Sequence, residues 1–497
     1  GRHLKAIILR HLEQKEEALA WIEDSLKTDA FNFGCLFEKY LITRDETVLI
    51  QLRNLMKRGA PDYEALVLDY TSAGRFEEAL AVAELAIAQP VGEQTLLHYY
   101  KSWCLIRLGK TAEAQIAIAT AEKEPADYCF PNALEAIEAL QCVVDFAGKA
   151  PKALYYLGNL WYDKRRYPTA IAAWERSSRE DETFPTVWRN LSLAYFNKMN
   201  RPDEAVTLLE KAFRLDHTDA RVLMELDQLY KRLNRPHIER LCFLEQHIDI
   251  VMTRDDLYLE YVTLLNQTGQ YREAIRRIDQ RKFHPWEGGE GKVPAQYQLA
   301  RLELAKELIN RKKYDDALAL IDECYIYPTH LGEGKLPGAQ ENDFNYYKAY
   351  ILQQQGRPEE AHSLFVKACS GNSQPAAAMY YNDQKPDKIF YQGLAYRKLG
   401  EEEKARSRFN QLITYGEEHL FDRFKMDYFA VSLPDLLIWE DDMDKKNRIH
   451  CNYLMALGHL GLGNRTKAEH FFDIAASMDN NHQGVQIHRK LMNTILS

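Results

Sequence analysis

The sequence predicts an all-α chain wound as a superhelical solenoid of antiparallel helix pairs. Three observations carry that prediction. Small residues, chiefly alanine, return about every 34 positions, each inside an apolar stripe of helical period. A short turn, often built on glycine, precedes each of them. The composition is that of an ordered helical chain, with 46% apolar and 28% charged residues and no low-complexity tract. A solenoid grows by stacking rather than by enlarging one core, so 497 residues need not mean several separate globules.

The clearest unit runs Leu154, Leu157, Gly158 and Trp161, then a turn, then Tyr167, Ala170 and Trp174. The next runs Trp188, Leu191 and Tyr195, then Ala205, Leu209 and Ala212. This spacing resembles the tetratricopeptide repeat (TPR), in which helix A, a turn and helix B form one unit. The resemblance implies a right-handed superhelix with helix A lining the concave face. Ala18, Ala79, Ala114, Ala170, Ala205, Ala274, Ala317, Ala361, Ala405 and Ala468 anchor successive copies, each within helix B. Turns are expected at Gly74, Gly109, Arg166-Tyr167, Gly269, Gly356, Gly400 and Gly463, and Pro90, Pro125 or Asp216 closes a unit. Trp161, Trp174, Trp188 and Tyr195 fall where packing aromatics belong and are expected in the core.

Three stretches depart from the pattern. Residues 31–60 read as a degenerate helix pair, 126–150 as an apolar helical segment, and 221–250 as a helix A whose partner lacks the small residues. A soft boundary is therefore expected near residue 150. It separates partly degenerate repeats over 1–150 from a TPR superhelix over 151–497, with glycine-rich loop insertions at 284–296 and 328–342.

The formal net charge of −9 argues against nucleic acid as the main partner, which would need a basic stripe. The run Arg272–Arg281 reads as a solvated helix face. Eight cysteines stand singly, mostly on apolar faces, and read as reduced, buried and inert. A cytoplasmic location is expected on that ground alone. No apolar run approaches the ~18 residues of a membrane span. The opening Gly1-Arg2-His3, without Met, suggests that an upstream domain is missing.

Two connectors carry the strongest departures. The first runs from Phe283 to Gln296 and holds His284, Trp286, Glu287, Glu290 and Lys292. The second runs from Tyr327 to Asn342 and holds His330, Glu333, Lys335, Gln340 and Glu341. Both contain Gly-Glu-Gly-Lys, then a proline, then Ala-Gln. Equivalent loops of successive repeats lie side by side in a solenoid, so these ten residues are candidates for one binding surface. Glycine lets a partner approach closely, and a tryptophan in such a loop can stack on a flat face. Mutual buttressing, docking of another domain and direct ligand contact are all open to them.

Enzyme signatures are absent. No H-E-x-x-H, G-x-S-x-G or G-x-G-x-x-G occurs, and Val293 replaces the Ser or Thr that would follow a phosphate-loop lysine. Fifteen histidines are dispersed without metal-ligand spacing, so no cofactor or metal is expected. The acidic run Trp439–Asp444 lacks the glycine and distal glutamate of a calcium loop and reads as a solvated turn. The helix after it, with Asn447, His450 and Asn452, is more polar than a repeat core would choose.

Beyond the generic repeat, several segments resemble the C-terminal TPR half of bacterial proteins whose N-terminal half is a galactose-mutarotase-like β-sandwich. They are Ala153–Arg166, His284–Lys292, His330–Asn342, Phe390–Ala395, Asp427–Pro434 and His450–Gly463. The resemblance implies an upstream sandwich domain and a link to carbohydrate, and transfers no catalytic residue. The expected function is a non-catalytic binding or scaffold module that docks a protein or peptide partner, or its own sandwich domain. The alternative is the accessory half of a carbohydrate-active enzyme. There Trp286 would stack on a sugar, and Glu287, Glu290 or Glu333 would supply a carboxylate.

Overall fold

The computed structural model describes residues 1–56, 58–89, 92–378, 383–423 and 438–492, which include 27 α-helices and no strand. Met379–Asn382 and Asp427–Pro434 lie outside the described residues. The chain divides into two compact units, Gly1–Arg201 and Pro202–Ser497. The boundary expected near residue 150 falls inside the first.

In the first unit, helix pairs follow one another: α1 (Arg2–His11) with α2 (Lys15–Thr28), α3 (Phe33–Thr43) with α4 (Glu46–Leu55), α5 (Ala60–Ser72) with α6 (Phe76–Ile87), and α7 (Thr95–Arg107) with α8 (Thr111–Ala121). A single helix, α9 (Glu135–Ala147), comes next and packs against both α7 and α10 (Pro151–Asp163). It is the apolar segment expected over 126–150. α10 pairs with α11 (Tyr167–Glu180), and α12 (Pro185–Met199) ends the unit.

The second unit opens with α13 (Pro202–Leu215). Then come α14 (Ala220–Arg232), α15 (His237–Gln246) and the short α16 (Ile248–Val251). Regular pairs follow: α17 (Asp255–Gln267) and α18 (Tyr271–Asp279), α19 (Lys292–Asn310) and α20 (Tyr314–Cys324), α21 (Asn342–Gln354) and α22 (Pro358–Ala368). α23 (Pro386–Lys398) pairs with α24 (Glu402–His419), α25 (Met443–Gly461) with α26 (Arg465–Met478), and α27 (Gln483–Leu491) stands last.

One local device builds most hairpins. Helix A ends on a residue at positive φ, which is glycine at 74, 109, 269, 356, 400 and 463, and Glu13, Arg165 and Lys312 in the equivalent places. The next amide donates back to the carbonyl five residues earlier, as from Arg75 to Tyr70 and from Gln270 to Leu265, both 2.8 Å. This closure satisfies carbonyls the helix end leaves free and reverses the chain. Helix B then begins, and its fourth residue is alanine. All ten anchor alanines, from Ala18 to Ala468, take this place and are buried. Only a short side chain lets the two helices approach this closely.

Larger side chains fill the spaces so made. Trp174 lies against Gly158, where an added Cβ would stand 2.2 Å from the indole. Its Nε1 donates to the Tyr155 carbonyl at 3.1 Å. Trp161, Trp188 and Tyr195 are only half-buried, not core residues as expected. Two carboxylates inside the first unit are matched. Glu38, fully buried, accepts from Arg10 Nε at 2.5 Å and from the Tyr70 hydroxyl at 2.8 Å. Glu122 accepts the first amides of α10, from Lys152 at 2.9 Å and Ala153 at 3.0 Å. All eight cysteines are free; seven are buried or half-buried, whereas Cys242 is exposed and corrects the expectation for that residue.

Candidate binding cleft

Within the second unit, the helices in the A position line one continuous cleft of about 1450 Å³. Its walls come from α14, α17, α19, α21 and α23, with α27 on the far side; Gln228, Thr263, Leu299, Glu303, Lys388 and Ile487 mark the path. The inward face of helix A is thus the cleft face, as repeat stacking requires.

The connectors form its rim, and they meet. The Phe283 amide donates to the His330 carbonyl at 2.8 Å, and the Gly291 amide to Glu333 Oε2 at 2.7 Å. Gly332, at φ +77°, leaves room for that contact, since a Cβ there would stand 2.7 Å from the Phe283 carbonyl oxygen. The insertions are shorter than the sequence suggests. Lys292 already opens α19, so 292–296 is helix, and Thr329–Leu331 forms one 3₁₀ turn.

Seven of the ten candidate residues, Trp286, Glu287, Glu290, Lys292, Glu333, Gln340 and Glu341, line the cleft. Trp286 is half-buried and folds onto Gly289 of its own loop, where a Cβ would lie 2.3 Å from the ring. Together with His284, Glu287, Glu290 and Glu333 it walls a side pocket of about 260 Å³ floored by Val293 and Leu331. Burial pushes the Glu333 carboxyl up, the Gly291 amide opposes this, and the charge of Glu290 adds to it. Gln340 ties the second connector to the next repeat, donating to the Asp383 carbonyl at 3.2 Å and accepting from the Lys385 amide at 3.1 Å. The remaining three do not line the cleft. His284 sits 3.1 Å from Asp255, His330 packs edge-on to Tyr297, and Lys335 donates to the Tyr325 carbonyl at 2.9 Å and pairs with Glu341.

Sequence reasoning missed the cleft floor and the closure of the unit. On the floor, Lys306 pairs with Glu303, Lys388 with Asp343 at 2.6 Å, and the Tyr347 and Tyr391 hydroxyls meet at 3.1 Å. Burial drives both tyrosine hydroxyls well up, so they stay neutral. His488 from α27 lies beside them, 4% exposed. Its Nδ1 is 2.8 Å from the Gly484 carbonyl, which can only accept, so that nitrogen carries the proton. Burial, with Lys306 adding, pushes His488 down to about 3. The imidazole is therefore neutral, and its Nε2 lone pair has no partner.

Closure joins the two ends of the second unit. Arg240, fully buried, donates to both Asp227 oxygens at 3.0 and 2.7 Å, to Glu260 at 2.7 Å and to Asn481 Oδ1 at 2.7 Å. Asn480 donates twice to Asn234, from Nδ2 to its carbonyl at 2.8 Å and from the amide to its Oδ1 at 3.1 Å, and the Gln296 and Gln483 amides pair reciprocally. Trp439 is buried with Nε1 donating to the Glu225 carbonyl at 3.2 Å, and Asp441 meets Arg232 at 2.8 Å. Trp439 and Asp441 thus fasten the run to α14, whereas Glu440, Asp442 and Asp444 are exposed, as expected of a solvated acidic turn. The polar face of α25 is also satisfied: Asn447 donates to the His419 carbonyl at 2.7 Å, and His450 sits 2.8 Å from the Ala376 carbonyl.

The architecture defines a superhelical array of helix hairpins with an inward-facing groove. More specifically, the chain carries tetratricopeptide repeats. Sequence models of that repeat match residues 130–186 and 389–415, spanning α9 to α11 and α23 to α24. Among solved structures, the TPR domain of P58(IPK) is similar over 92% of this chain and 97% of its own, at 14% identity and a TM-score of 0.25. The C-terminal part of a TPR repeat-containing protein from Cytophaga hutchinsonii covers 67% of this chain over its full length, at 15% identity and 0.22. YrrB, described as a TPR protein with an unusual peptide-binding site, covers 44% of this chain and 87% of its own, at 14% identity and 0.19. No helix among the described residues is long and apolar enough to cross a membrane, and none of their His, Cys, Asp and Glu groups is placed to hold a metal ion.

Proposed function

We propose that the protein is a non-catalytic binding module whose second unit takes an extended protein segment into its cleft. The observation that carries this reading is the cleft itself. It is lined by the A-position helices and is long enough, at about 1450 Å³, to follow a chain rather than one small ligand. Polar side chains on its helices, such as the half-buried Gln228, suit main-chain recognition. The carbohydrate alternative finds no such support.

A random decapeptide pool with a fluorescent label should bind the full chain saturably. Gln228→Trp places a large ring on the cleft wall, away from the core. It should abolish that binding while leaving the helical circular dichroism spectrum unchanged. Undiminished binding by the variant would remove the cleft from the account.

A further inference from the structure

The charges around the cleft are uneven. Nine carboxylates line it against five lysines. Six of the nine carboxylates are already paired inside the protein. Glu260 meets Lys231 at 2.9 Å and Arg240 at 2.7 Å, Asp343 meets Lys388 at 2.6 Å, Glu303 meets Lys306, Asp256 meets Arg254 at 2.7 Å, Glu341 meets Lys335, and Asp387 lies 3.7 Å from Lys388. The surplus collects at the connectors. Glu287, Glu290 and Glu333 share one pocket with the Trp286 ring and Pro285, and no lysine or arginine lines that pocket. Three carboxylates beside an indole form an environment for a cation, held by Coulomb attraction and by the ring face. The floor supplies a second, independent sign of a ligand. His488 is 4% exposed, its Nε2 lone pair has no partner, and it lines the same cleft. A lone pair on a neutral imidazole asks for a hydrogen-bond donor, as the amide of an extended chain provides.

We infer that the segment bound in the cleft is basic: a lysine or arginine side chain enters the pocket of Trp286, Glu287, Glu290 and Glu333, while an amide N–H of the same segment donates to His488 Nε2. This rests on the cleft being a peptide site and adds the chemistry of its occupant. Glu287 and Glu290 are exposed and Glu333 half-buried, so solvent weakens each ion pair.

The test uses three random decapeptide pools identical except for a fixed central lysine, glutamine or glutamate, titrated against the full chain by fluorescence polarisation. The lysine pool should bind about tenfold tighter than the glutamate pool at low salt, with glutamine between them. The preference should shrink at 0.5 M salt. The rim variant Glu287→Gln/Glu290→Gln/Glu333→Gln should bring the three pools to within about twofold of each other, with the lysine pool losing most. His488→Phe keeps a ring of similar size and should weaken all pools alike, by roughly three- to tenfold, leaving the lysine preference in place. Equal binding of the three pools, or a glutamate preference, would overturn the basic-segment inference while leaving the cleft as a peptide site. No binding by any pool would overturn both. A charge preference that persists in the rim variant would place the cation elsewhere and contradict the pocket.

Discussion

Replacing Arg240 with methionine tests the closure of the second unit. The guanidinium is fully buried and satisfies two Asp227 oxygens, one Glu260 oxygen and Asn481. Burial alone would lower the Arg240 pKa, but Asp227 and Glu260 hold the charge in place. Burial likewise pushes the Asp227 carboxyl up against the pull of Arg240. Methionine fills similar volume, so the loss is electrostatic. Glu260 keeps Lys231 at 2.9 Å, whereas Asp227, 1% exposed, loses its cation. Leaving one partner of a buried pair costs about 3–5 kcal/mol. At roughly 2 cal/mol/K per residue, a unit of about 300 residues should melt about 5–8 °C lower. The assay is calorimetry together with hydrogen exchange, which should show protection lost first in α14, α15 and α27. Adding Asp227→Leu should restore much of the stability, because an apolar pair can replace a buried ion pair. A loss below 1 kcal/mol, or a double variant no better than Arg240→Met, would refute the view that this ion cluster fastens the unit shut.

Three further outcomes follow from the same geometry. Gly332→Ala puts a Cβ 2.7 Å from the Phe283 carbonyl at a positive φ, and should cost about 2–3 kcal/mol by urea unfolding. Gly338→Ala, at φ +83° with open space around it, should cost only about 1 kcal/mol in the same measurement. Half-buried His450 and buried His488, pushed down to about 4 and about 3, remain neutral in the folded chain at pH 5. A free imidazole titrates near 6.5, so the unfolded chain binds protons first as pH falls. The stabilisation is complete above pH 7 and is lost from pH 6.5 down toward the folded values, about 2 kcal/mol for each histidine by pH 5. Urea midpoints at pH 7.5 and pH 5 should therefore differ less in His488→Phe than in the parent protein.

The repeat skeleton was legible in the sequence because it is local. An alanine four residues into helix B and a turn residue five before it leave a fixed spacing, and all ten anchor alanines are buried at that position. The adjacency of the connectors was legible for a related reason: two similar loops one repeat apart must lie on one edge. The closure was not, because Arg240 and Asn481 stand 241 residues apart and neither departs from a normal helix or turn composition. Trp439 was concealed by the acidic residues after it, although a lone tryptophan before such a run is itself a packing signal. The floor of the cleft left a faint trace. Glu303 and Lys306 are buried charged residues within α19, next in sequence to buried Leu302, Leu304 and Ala305. Charged residues at buried helix-A positions are better marks of a groove than the glycine-rich loops that first drew notice.

Photo-crosslinking tests the central claim most directly. A benzoylphenylalanine at Leu299, on the cleft wall, and another at Glu359, exposed on α22, would each be irradiated with the labelled lysine pool. Crosslinking from position 299 with little from 359 is the result expected of an occupied inner groove. The reverse pattern would mean that partners ride on the outer helices, and the cleft would lose its role.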